Sequence, residues 1–317
     1  MTELCRDAAT TSAAGHGRER PHSVLALRWR RFRRHPAGLV SLVVLTLLVL
    51  FCLSAAPLES FLEIDAARTN LIARYQPPSI RHWLGTDEAG RDILVRLMYG
   101  GQISLLVALF ASVIGAVFGV GIGLTAGYFG GRLDAALMRF TDGVLALPLL
   151  PLLIVFGAVD LTKLGFSSEF AMSQAAGFWR IILIIAFVDW TVIARLVRAA
   201  TLSVKEHDYV RAARASGAGA PYLITAHVLP NIAMPIIVAF TLTAGRVILL
   251  ESVLSFLGYG IMPPAASWGS MLNNAQEFAM TAPALAIYPG LMIFITVIAV
   301  NFLGEALQHA FDPRSDS

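Results

Sequence analysis

The 317 residues are 56% hydrophobic and only 14% charged. A soluble domain carries about 25% charged and about 45–50% apolar residues, so much of this chain has lipid as its solvent. The net charge of +3 argues against a nucleic-acid surface. Cys5 lies in a polar tail and Cys52 in an apolar run. They offer neither a disulfide framework nor metal-ligand spacing, and neither a metal nor a cofactor is expected.

Residues 1–37 read as a basic cytoplasmic tail. Positions 1–27 are small, polar and disordered in character, and Arg28, Arg30, Arg31, Arg33 and Arg34 follow. Crossing about 30 Å of hydrocarbon takes roughly 20 apolar residues in a helix. Six runs qualify: 38–57, 100–127, 136–159, 178–198, 232–257 and 283–304. The expected fold is an all-α integral membrane protein with about six transmembrane helices. The arginine cluster before the first run, and the distribution of Lys and Arg along the chain, place both termini in the cytoplasm. The first run is too long for the apolar part of a signal peptide and five more follow, so it stays uncleaved despite Ser54-Ala55-Ala56.

The 58–99 segment is then an extracytoplasmic loop, read as a structured lid with Gly-Thr-Asp and Gly-Arg-Asp turns. In the second run Gly115, Gly119, Gly123 and Gly127 fall four apart, a smooth stripe along which another backbone packs closely. Packing is favoured here over a role in lining a ligand. Pro148 and Pro151 break the third run, as membrane helices tolerate, and Asp189 interrupts the fourth. Asp142, Asp189, Arg246 and Glu251 are the ionisable groups in or near spans. Such groups are expensive there and face the bundle interior or water, so they either line a path or pair structurally. Arg246 and Glu251 are five apart, a poor helical pair, and each needs a partner elsewhere.

Between the fourth and fifth runs the punctuation predicts two short helices. Asp208 would cap the first, which runs from Tyr209 through Val210 to Ser216. Gly217 takes the left-handed position that ends it. Pro221 suits the first turn of the second helix, which Pro230 would terminate. Further on, the 258–282 loop holds Gly258, Gly260, Pro263 and Pro264, then helix-like spacing from Trp268 to Phe278. It would cap a pore or contact an extracytoplasmic partner, with Trp268 equally readable as an interface anchor. Residues 306–317 close the chain as a cytoplasmic tail.

The run Arg211-Ala212-Ala213-Arg214-Ala215-Ser216-Gly217, then nine residues and His227-Val228-Leu229-Pro230, resembles the EAA loop of ABC importer permeases throughout its spacing. Three further segments resemble the peptide/nickel branch, the dipeptide and oligopeptide permease C type. They are His82-Trp83-Leu84-Gly85-Thr86-Asp87 with Gly90-Arg91-Asp92, Glu251 to Gly260 with Ser267-Trp268-Gly269, and Asn301 to Glu305 running on to Asp312-Pro313-Arg314. The resemblance implies a type I importer core over 100–305. It also implies a second homologous permease subunit in a heterodimer, two cytoplasmic ATP-binding subunits and an extracytoplasmic substrate-binding protein. Asp208, Tyr209, Val210, Arg211, Ala212, Ala213, Ser216, Gly217, Leu229 and Pro230, within 205–230, would form the ATPase contact. The implied cargo is a di- or oligopeptide, with nickel, opines and glutathione as the alternatives among relatives. Arg211 departs from the family's common Glu. If Asp208 is the cap, Arg211 sits at the third helical position and cannot accept the bond that Glu makes in a capping box.

Other classes are weaker. No Gly-rich loop ending in Gly-Lys-Ser/Thr is present, so ATP hydrolysis belongs to separate subunits. Gly165-Phe166-Ser167-Ser168-Glu169 lacks the closing Gly of a nucleophile elbow. An ion-coupled secondary transporter is the rival from another class, but no repeat relates the two halves.

Overall fold

The computed structural model describes residues 31–273 and 281–311. The basic residues Arg28 and Arg30, the far part of the Trp268 to Phe278 spacing, and Asp312 to Arg314 lie outside the described residues.

The protein is an all-α, multi-pass membrane protein. Helix α1, Pro36–Leu53, starts with Pro at its first position and the His35 ring accepting from the Gly38 N–H. Ser54 separates it from α2, Ala55–Leu62, so the apolar run expected as one span is interrupted short of its end. Helix α3, Ile93–Phe129, is 37 residues long. It begins before the apolar run does because Asp92 caps it, accepting from the Val95 N–H at 2.9 Å.

The next expected span is two helices, α4 (Gly131–Ala146) and α5 (Leu149–Gly157), set at 84° to each other across Leu147-Pro148. Pro148 fixes its own backbone angle and keeps the preceding residue out of the helical region. Helix α6, Gln174–Val204, has 31 residues. The segment after it holds α7, Asp208–Ala215. Helix α8, Ala220–Phe256, is 37 residues including a π-helical turn at Leu223–Val228. The short α9, Trp268–Met271, precedes α10, Ala284–Phe311, which extends through much of the stretch read as a tail. By length and composition four of these can cross a membrane, or five with the bent pair as one span. Helix α6 is long enough, but Arg180, Asp189, Arg195 and Arg198 lie along it.

The core is the packing of α3, α6, α8 and α10, with α1 against α10. The glycine stripe makes the α3–α6 seam. A Cβ on Gly119 would lie 2.7 Å from the Trp190 carbonyl oxygen, one on Gly123 2.5 Å from that of Ala194, and one on Gly127 2.9 Å from that of Arg198. The expected packing stripe is therefore a packing stripe, and its partner is α6. Helix α1 docks on α10 through Phe32, Leu39, Leu42, Leu303, Ala306 and Leu307.

The 58–99 segment folds around Asp87. Its carboxylate accepts from the Ala89 and Arg91 backbone N–H groups at 2.8 and 2.9 Å and from the Arg91 side chain at 2.8 Å, and it pairs with Arg96 at 3.2 Å. A single antiparallel bridge, Thr86 to Asp92, is the only β pairing among the described residues. Gly85 and Gly90 take φ of +83° and +72°, which the turns around Asp87 require and only glycine adopts without strain.

Candidate coupling surface and buried polar groups

Two groups of residues carry functional weight: the connection from α6 to α8, and the polar side chains inside the bundle. In the connection α7 does not begin as expected. His207, in an extended conformation, is the N-cap and makes no side-chain capping bond, while Asp208 is the first helical residue. A carboxylate there still favours the positive helix end. Arg211 is consequently the fourth helical residue, not the third, so the capping-box argument does not apply to it. Its nearest acidic partner is Glu206 at 3.9 Å, both side chains being well exposed.

The other end follows the expected geometry. Gly217 has φ +86°, its N–H bonds the Arg214 carbonyl at 3.0 Å, and the Ala218 N–H bonds that of Ala213 at 3.2 Å. These two bonds are the Schellman pattern. Pro221 lies in the first turn of α8. Pro230, however, terminates nothing, because α8 runs through it. The π turn at Leu223–Val228 changes the hydrogen-bond register just ahead of the proline, where its missing N–H and its ring would otherwise disrupt an α-helical ladder.

Helix α7 is anchored by one fully buried side chain, Val210. Asp208, Tyr209, Arg211, Ala212, Ser216 and Gly217 are exposed, with Ala213 and Leu229 half-buried and Pro230 exposed. An alanine-rich helix exposed on most of its circumference presents a smooth face. Two contacts tie its surroundings to α3. Lys205 Nζ donates to the Gly127 carbonyl at 2.7 Å, satisfying one of the carbonyls left open at a helix end. The Arg214 guanidinium lies over the Tyr128 ring, 5.6 Å from its centroid. Lys205 was not singled out from the sequence; its only signal there is a lysine at the end of a long helix.

Inside the bundle, the four ionisable residues separate. Asp142 is exposed on α4 and pairs with Arg195 of α6. Nearby, Asp134 and Arg198 make a two-pronged pair, 2.6 Å on its Nη2 side, so two ion pairs hold α4 to α6. Asp189 is buried and faces Arg246 of α8 at 3.8 Å. Glu251 is fully buried. It accepts from Ser104 Oγ of α3 at 3.0 Å and from Ser255 Oγ at 2.7 Å. Arg246 and Glu251 thus each have a partner on another helix, as their spacing required.

Ser104 links Glu251 to the chain beyond α8, because its Oγ also accepts the Trp268 backbone N–H at 3.1 Å. The Trp268 indole donates to the Leu97 carbonyl at 2.9 Å. Trp268 is fully buried, which rules out an interface anchor. It fits because Gly101 leaves room for the ring, where a Cβ would lie 2.6 Å from it, and because Gly269 lies against Ser252. Among the described residues no group of three or more His, Cys, Asp or Glu is placed to hold a metal ion.

Comparison with known proteins places this geometry in a family. Residues 119–317 match the binding-protein-dependent transport system inner membrane component. Residues 23–78 match the N-terminal transmembrane domain of oligopeptide transport permease C. A putative peptide permease protein of Brucella suis is 38% identical over 288 residues, 90% of each chain. The dipeptide transport system permease protein DppC of Alkalihalophilus pseudofirmus is 36% identical, covering 91% of this chain and 90% of the relative. The glutathione transport system permease protein GsiD of Pectobacterium atrosepticum is 36% identical over 91% of each. Members of this family are transport components that work with ATPase and substrate-binding partners. The chain belongs to the binding-protein-dependent transport permeases, and within them to the dipeptide and oligopeptide permease C type.

Proposed function

We propose that the chain forms half of a peptide translocation path and pairs with a second, homologous permease subunit. Two ATP-hydrolysing subunits engage α7 from the cytoplasm, and an extracytoplasmic binding protein delivers the cargo. The chain sits in the bacterial inner membrane with both termini cytoplasmic, and it has no enzymatic activity of its own. Peptides are the cargo by analogy with the names of its relatives; glutathione, nickel and opines are the alternatives within the same class.

The observation that carries this reading is α7: a short helix between two long ones, with Val210 its one fully buried side chain and its Ala212 face exposed. Such a helix is too small to be a domain and too well ended to be a random connector. The main test is uptake by cells carrying the chain with its neighbouring genes. Peptide accumulation is expected to stop on ATP depletion and to persist when a protonophore collapses the proton gradient. The opposite pattern would establish an ion-coupled transporter instead. Val210→Asp should detach α7, because an unpaired carboxylate in that site costs several kcal/mol. The variant is expected to reach the membrane but to lose co-purification with the ATPase subunits; full retention would contradict the docking role.

A further inference from the structure

The Arg246–Asp189 pair is not accounted for by packing. Asp189 lies midway along α6, and Arg246 lies roughly 15 Å from the end of α8 at 1.5 Å per residue. Helix α8 is long and apolar enough to cross a membrane. Yet the Arg246 side chain is 43% exposed, with Leu242 and Leu249 exposed one turn to either side. A guanidinium within a span does not face lipid. It faces water or protein.

Its fixed partner uses little of it. Asp189 meets the guanidinium at 3.8 Å through one oxygen, and its other oxygen is buried without a hydrogen-bond partner. Arginine has five N–H donors in a planar fork that matches a carboxylate. Most of that fork is left for a second anion. The exposed Asn301 of α10 lies against Gly245, the residue preceding Arg246, with its amide nitrogen 3.3 Å from where a Cβ would sit and donating to the Val297 carbonyl at 2.9 Å. Any side chain at 245 would displace that amide.

We propose that Arg246, oriented by Asp189, is the group in the translocation path that receives a carboxylate of the passing peptide. This rests on the importer reading above. A loose ion pair suits the task, because a path must bind well enough to admit its cargo and weakly enough to release it. Asp189 acts as a positioning residue, holding the arginine in the path when no cargo is present.

The test uses the complete importer in proteoliposomes, with trialanine as the free acid and as its C-terminal amide. In Arg246→Gln the ratio of acid to amide uptake is expected to fall about tenfold from the wild-type ratio. Arg246→Lys should retain part of the preference, since it keeps the charge and loses the fork. An unchanged ratio overturns the proposal, whether both uptakes fall together, as for a contact between subunits, or neither falls. A second arm does not depend on the cargo. Arg246→Cys is expected to react with a water-soluble methanethiosulfonate above the wild-type level, and absence of labelling overturns the proposal as well. Absence of ATP-dependent trialanine uptake in the wild type would instead reject the peptide cargo, while the labelling result would still report on the path.

Discussion

Gly123→Leu is expected to abolish accumulation of the folded chain in the membrane, whereas Gly121→Leu, two residues away, is expected to leave it near the wild-type level. At Gly123 a Cβ would lie 2.5 Å from the Ala194 carbonyl oxygen and 2.8 Å from the Val197 Cβ. Neither neighbour is the end of a flexible side chain, so the two helices must separate. At Gly121 nothing lies within 4 Å of the same added atom. Alanine at 123 gains roughly 1 kcal/mol of helix propensity over glycine, but overpacking costs typically 1–3 kcal/mol, so it should be net destabilising and leucine far more so. In a membrane no hydrophobic drive brings helices together, and close packing carries the association. Size-exclusion profiles of tagged protein in mild detergent would show the difference. Equal profiles for the two leucine variants would refute the seam as the basis of the fold.

Trp268→Ala should be the other severe substitution. It empties a fully buried site and removes the indole bond to Leu97, a change of the kind that costs about 3–5 kcal/mol. Trp268→Phe keeps most of the volume and loses only the hydrogen bond, so it should cost about 1 kcal/mol. Thermal melts of the purified complex distinguish the two. A phenylalanine variant as unstable as the alanine variant would mean that the indole N–H, and not the ring, holds the segment in place.

These two sites also show what the sequence could reveal. Four glycines spaced four apart commit one face of a helix to close approach whatever meets it, so the stripe was readable. That α6 would meet it was not, because α6 carries Asp189 and reads as a poor span until Arg246 is seen across from it. The sequence leaves Trp268 open between two readings for a related reason. An aromatic with a polar tip commonly sits at a membrane interface, and only the fold brings Leu97 and the gap at Gly101 to it. At the connection, Asp208 and His207 compete for one capping position, and a carboxylate is favourable at either of the first two places, so spacing alone could not separate them. Pro230 was read as a stop under the rule for α-helices, which the π turn suspends. The polar pairs were half legible: the spacing of Arg246 and Glu251 demanded outside partners, but nothing in the sequence joins Ser104 to Glu251.

The continuity of α8 through Pro230 has a mechanical consequence. Its 37 residues follow a path about 55 Å long at 1.5 Å per residue, with the turn beside α7 at one end and the Glu251–Ser104–Trp268 contact near the other. A tilt of roughly 5° at the first end displaces the second by about 5 Å over that length. A small push at the α7 end would be carried along α8, past Pro235 and Arg246, to the Glu251–Ser104–Trp268 contact.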